Sequence, residues 1–137
     1  MAISVPFLSK RIAVLTLPLL VVSGFCASLC GEEIDFNQTI RPILQERCFA
    51  CHGALKQESS LRLDSASLLR KGSDSGAVID LEEVEQSELL IRVSHQDESS
   101  RMPPEGQPLS REEIELIRQW IKAGGRVPKN DTAEISP

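Results

Sequence analysis

Cys48-Phe49-Ala50-Cys51-His52 constrains this chain more than any other stretch. Two thiols held two residues apart, with an imidazole directly after the second, read as a c-type haem attachment site. The spacing has a chemical reason. On one turn of chain the two thiols reach the two vinyl groups along one edge of the porphyrin and close thioether bonds. His52 then falls under the iron and becomes the proximal ligand through an imidazole nitrogen. The signal is short but specific, because three chemically rare residue types must fall in fixed order.

Two plainer readings compete. A zinc site wants four ligands, usually from a second paired motif. The other cysteines, Cys26 and Cys30, lie in an apolar leader that is expected to be removed. A thioredoxin-like redox pair belongs near a βαβ pattern, and no such pattern is visible. At 137 residues the chain is one domain at most. Aromatic residues make up 4%, and outside the leader only Phe36, Phe49 and Trp120 remain. A haem would supply the large apolar body that these side chains lack, although an aliphatic core of Leu, Ile and Val would also serve. The net charge of −5 argues against nucleic-acid binding, which wants a basic patch.

Residues 1–30 read as a secretory signal. Lys10 and Arg11 form its positive region, and Ile12 to Gly31 carries no charge. Small residues allow cleavage after Cys26, Ser28 or Cys30. An uncleaved anchor is the alternative, since the uncharged stretch is nearly long enough to span a membrane. Pro18 and the small residues at the end of the stretch favour cleavage. Export suits the motif, because covalent haem attachment in bacteria takes place outside the cytoplasmic membrane. Removal of the leader leaves 20 acids against 13 bases, since it takes away Lys10 and Arg11 alone.

Phe36, Ile40, Ile43 and Leu44 share one helical face. Pro42 conflicts with a helix that begins at Phe36. A start at Thr39, with Thr39 as N-cap and Pro42 in the first turn, resolves the conflict. That helix runs to about Arg47 and delivers Cys48 at its end. Gly53 lets the backbone turn close to a porphyrin. Residues 54–60 read as a loop, and Leu61, Arg62 and Leu63 as an extended step. Asp64 reads as the N-cap of a short helix that stops near Gly72. Ser73 to Gly76 is a turn, and Asp80 to Gln86 a solvated acidic face. Ser87 caps a helix with Leu90, Ile91 and Val93 as its apolar positions.

Iron held this way has a sixth position to fill. Met102 is the only methionine after Met1, and it sits in the rigid segment Arg101-Met102-Pro103-Pro104. Thioether sulfur is a recognised sixth ligand that raises the reduction potential. A gap-filling hydrophobe is the plainer account of Met102. His95 is the competing ligand, and an open or water-filled position is the third choice. Further on, Ser110-Arg111-Glu112-Glu113 is a capping box with Ser110 at N-cap and Glu113 at N3. Ile114, Ile117, Trp120 and Ile121 form the apolar face of the helix it opens, and Gly124 and Gly125 end that helix. Trp120 is expected to pack against the first helix and near the haem edge.

Phe36-x-x-x-Ile40-Arg41-Pro42-Ile43-Leu44 leading into Cys48-Phe49-Ala50-Cys51-His52-Gly53 resembles the planctomycete-type cytochrome c domain. Leu61-Arg62-Leu63-Asp64 and Ser87-Glu88-Leu89-Leu90 continue the resemblance. So do Arg101-Met102-Pro103-Pro104 and Leu109-Ser110 into Ile121-Lys122-Ala123-Gly124-Gly125, so that it covers roughly residues 33–126. The resemblance implies an all-α, cytochrome c-like fold of three to five short helices around one covalently bound haem c. It implies thioether bonds at Cys48 and Cys51, His52 as proximal ligand and Met102 as distal ligand. Members of this family carry the domain as a module, often joined to large secreted domains. This chain stops just after it, so it is read as a free-standing carrier or as a piece of a larger protein.

The expectation is thus an exported monohaem carrier of one electron, working through its exposed haem edge, with no catalytic residues. Residues 1–30 would be the leader, 31–126 the cytochrome domain and 127–137 a disordered tail. The location is the periplasm or the outer face of the cytoplasmic membrane, with membrane contact only if the leader stays. Its partners would be redox proteins with a basic docking face, met at a rate that falls as salt rises. Two rival readings are a docking module that feeds electrons to a larger secreted enzyme and a five-coordinate haem enzyme of peroxidase type. The second requires that Met102 does not ligate.

Overall fold

Met1 and residues 33–129 are described by the structure, a computed structural model. The expectations for the leader, and for the tail beyond Lys129, lie outside the described residues. Among the described residues the chain is helical and carries no strand. Four α-helices follow in order: α1 (Arg41–Arg47), α2 (Ala66–Lys71), α3 (Glu88–Ser94) and α4 (Arg111–Lys122). No helix there is long and apolar enough to cross a membrane.

The entry to α1 differs from the expectation. Thr39 is not the cap. The chain winds up at Asp35, whose carboxylate accepts the Gln38 amide at 2.8 Å. A wide π-helical turn (Phe36–Ile40) then leads into α1, with Pro42 at its start. The reason is burial. The wide turn sends both Phe36 and Ile40 into the core, and it brings the chain to Pro42 where that residue's missing N–H and ring are tolerated in a first helical turn.

The cap of α2 is also displaced. Ser65, not Asp64, stands at its N-cap, and its side chain makes no capping bond. Asp64 is buried and takes a forked pair from Arg62, at 2.9 Å from Nε and 2.6 Å from Nη2. A buried carboxylate needs such a partner more than the helix needs a cap. Gly72 ends α2 with φ +82°, where a Cβ would meet the Gly76 carbonyl at 2.2 Å. Ser87 stands at the N-cap of α3, but its hydroxyl bonds the backbone N–H and C=O of Asp80.

The capping box of α4 forms as read. Ser110 Oγ accepts from the Glu113 amide at 3.1 Å, and Glu113 accepts from the Ser110 amide at 2.6 Å. Ile117, Trp120 and Ile121 are buried on its inner face. The Trp120 ring lies 5.5 Å from that of Phe36, and its indole N–H donates to the Arg126 carbonyl at 2.9 Å. Trp120 therefore packs against the entry to α1, as expected. Val127, the first residue of the expected tail, is buried. The core that results joins Phe36, Ile40 and Leu44 to Leu90 of α3 and to α4. It fixes the outer ends of the segments that carry the attachment motif and Met102.

Candidate haem site

Cys48 is the C-cap of α1, its amide bonded to the Leu44 carbonyl at 2.8 Å. The motif continues that turn, with Cys51 and His52 amides both donating to the Cys48 carbonyl. The turn must stay tight at Gly53. A Cβ there would lie 2.4 Å from the Phe49 carbonyl oxygen. The demand for glycine is thus contact with the motif's own backbone.

His52 is held on every side by backbone. Its carbonyl accepts from Leu63 at 2.8 Å, and Glu58 donates its amide to Cys51 at 3.0 Å. The imidazole Nδ1 lies 3.2 Å from the Glu58 carbonyl oxygen. A carbonyl can only accept, so Nδ1 is the donor, and in the neutral ring this leaves the lone pair on Nε2. That is the tautomer a metal needs, fixed from behind by a backbone partner. Ser59, just after Glu58, turns the chain with φ +55°.

Cys48, His52 and Met102 line one cleft. Its volume is about 290 Å³, the lower end of the roughly 300–1,000 Å³ of ligand pockets. Counted out through its mouth, the empty space is about 900 Å³. Leu61, Leu63, Val78, Leu89 and Val93 supply an apolar wall, and Ser59, Ser73, Ser75, Glu88 and Arg92 the rest. Cys51 is half-buried on the same turn but does not line the cleft, nor does Trp120. His95 is exposed at the end of α3, its Nδ1 accepting the Asp97 amide at 3.1 Å, and lies outside the cleft lining.

The donor set fits a covalently held haem. Both cysteines are free thiols. Burial, reinforced by Cys51, pushes the Cys48 thiol up to about 12, against the opposing pull of Arg47. Its sulfur therefore stands in the cleft wall uncharged, as a thioether would. Among the described residues no cluster of three or more His, Cys, Asp or Glu could hold a metal ion, so the second half of a zinc site is missing there.

Sequence reasoning passed over three parts of this site. The alternation of Leu61 and Leu63 is a period-two signal that could have marked them as one wall. The Glu58 carbonyl left no sequence signal, because every residue has one. Val78 belongs to a turn with no periodicity of its own.

A helical fold with a Cys-x-x-Cys-His turn beside an apolar cleft is consistent with a c-type cytochrome. Residues 48–106 match the model of the planctomycete cytochrome C family. No curated protein and no solved structure matches the chain. The family match points to haem c as the prosthetic group and to electron transfer rather than catalysis.

Proposed function

We propose that the protein is an exported one-electron carrier with a single haem c. When bound, the group supplies a ferric–ferrous couple. The chain supplies everything else. Cys48 and Cys51 would hold it by thioether bonds, and His52 Nε2 and the Met102 sulfur would be the iron's ligands from the chain. The leucine and valine wall keeps water away and favours the less charged ferrous state.

The observation that carries this reading is the convergence of Cys48, Met102 and a correctly protonated His52 on one apolar cleft. With the leader removed, the acid excess favours a partner with a basic docking face, and salt should slow their association. The proposed location is the periplasm or the outer face of the cytoplasmic membrane.

An absorption spectrum of protein exported in a host with c-type haem maturation tests the reading. Expected are a haem that survives denaturation and acid extraction, a sharp low-spin reduced spectrum, and a weak sulfur-to-iron band when oxidised. A high-spin spectrum would remove Met102 from the iron. No bound haem, in a host that matures a control cytochrome, would sink the proposal.

A further inference from the structure

The arc from Glu58 to Asp64 is strained, and it touches one histidine twice. Ser59 and Ser60 both stand at φ +55°, in the left-handed region that residues other than glycine avoid. Such a turn persists only where its surroundings over-determine it. Before the turn, the Glu58 amide donates to the Cys51 carbonyl at 3.0 Å, and the Glu58 carbonyl faces His52 Nδ1 at 3.2 Å. At its middle the Asp74 amide donates to the Ser59 carbonyl at 3.0 Å. After it, the Leu63 amide donates to the His52 carbonyl at 2.8 Å. One end of the arc thus holds the ring of His52 and the other end holds its backbone.

The far end has no regular structure to stiffen it. Leu61 is extended (φ −87°, ψ 131°), and among the described residues there is no strand for it to pair with. A side-chain pair takes that place. Arg62 and Asp64 are two residues apart, so on extended chain they share a face. Leu61 and Leu63 alternate with them and line the cleft. Arg62 Nε and Nη2 reach Asp64 Oδ1 and Oδ2 at 2.9 Å and 2.6 Å. A forked pair fixes orientation as well as distance. It is also set into the interior, with the Asp64 side chain 3% exposed. The pairs Arg92–Glu88 and Arg118–Glu115 differ, because they lie along helices that their own backbone already holds. The Arg62–Asp64 fork spans the Leu63 amide, the group that grips His52.

We propose that Arg62 and Asp64 are positioning residues for His52. The fork splints the far end of the arc, the arc holds the imidazole at Nδ1, and the direction of Nε2 follows. The inference rests on the haem reading of the cleft, in which His52 is a ligand of the iron.

Arg62→Met alone strands a buried carboxylate and should cost folded yield. The deciding variant therefore combines Arg62→Met with Asp64→Leu, which removes the fork and leaves no buried charge, an exchange that is often neutral for stability. Wild type and double variant are compared with haem loaded, each first checked for covalent haem as the denatured pyridine complex. In the ferrous protein the His52 Nδ1 proton of the double variant should exchange roughly tenfold faster or more, the lower end of the scale on which outer partners of metal ligands act. The haem methyl shifts of the ferric protein, which report the plane of the histidine, should move with it. A pair that serves stability alone would leave exchange and shifts at their wild-type values, which would overturn the proposal. A wild-type measurement stands beside the variant. Under increasing denaturant the His52 Nδ1 proton, the Leu63 amide and the Arg62 Nε proton should exchange through one shared opening. Separate openings in haem-loaded wild type would overturn the proposal and leave the haem reading standing. A wild type without haem would overturn the cleft reading itself and this assignment with it.

Discussion

The two walls of the cleft are built differently. The attachment wall, from Cys48 to Leu63, is tied to itself. The Cys48 and Cys51 carbonyls, the His52 carbonyl and the His52 ring all have backbone partners within that wall. The methionine wall, from Arg92 to Pro104, hangs from α3 by the bond between the Met102 amide and the Arg92 carbonyl, with the turn at Asp97 beneath it. One wall is complete without any guest. The other leaves one buried nitrogen, Arg101 Nε, without a partner.

Ligand loss should separate the walls first. His52→Ala should reduce the yield of low-spin haem protein by more than the roughly 10–100-fold that loss of an outer partner costs. Quantifying haem per chain checks this, and an undiminished low-spin yield would break the assignment of the wall. Met102→Ala should keep the covalent haem and lose the low-spin spectrum. Its potential should fall by on the order of a hundred millivolts or more, within the roughly 0.8 V that axial ligands span. Redox titration reads it, and an unchanged potential would make Met102 a packing residue.

Gly53→Ala should destabilise the attachment wall by about 1–3 kcal/mol in denaturant unfolding, because the added methyl meets fixed backbone at the Phe49 carbonyl. A neutral result would mean that this wall yields more than its hydrogen bonds suggest. The last effect is one of pH. In haem-free chain the Cys48 thiol is pushed from 9.0 to about 12. An unfolded thiol ionises from pH 9 upward while the folded one stays protonated. This contribution to stability is therefore fully present below pH 9 and is lost as the pH rises toward 12. Cys48→Ala should remove that component, and haem-loaded protein, with no thiol proton there, should lack it. Unfolding followed from pH 8 to higher pH, in all three forms, checks the sign.

How far each part was legible follows from how local its cause is. The capping box at Ser110 and Glu113 is written in four consecutive residues, and it forms as read. At the start of the first helix the same chemistry misleads. Asp35 and Thr39 are both able caps, and what selects Asp35 is the burial of Phe36 and Ile40 against α4, a long-range cause. Asp64 looked like a cap because the fork from Arg62, two residues away, becomes necessary only once the carboxylate is buried. Cys48, His52 and Met102 could be named because their chemistry is rare and specific.

The indole of Trp120 has an optical consequence. The chain has one Trp and no Tyr, and that Trp is 1% exposed against Phe36. Near-ultraviolet emission therefore comes from a single point at the junction of α4 with the entry to α1. A porphyrin in the neighbouring cleft would accept that energy and darken it. Fluorescence should then rise when the two ends of the molecule part, so unfolding of the loaded protein can be followed against a dark background with no added dye.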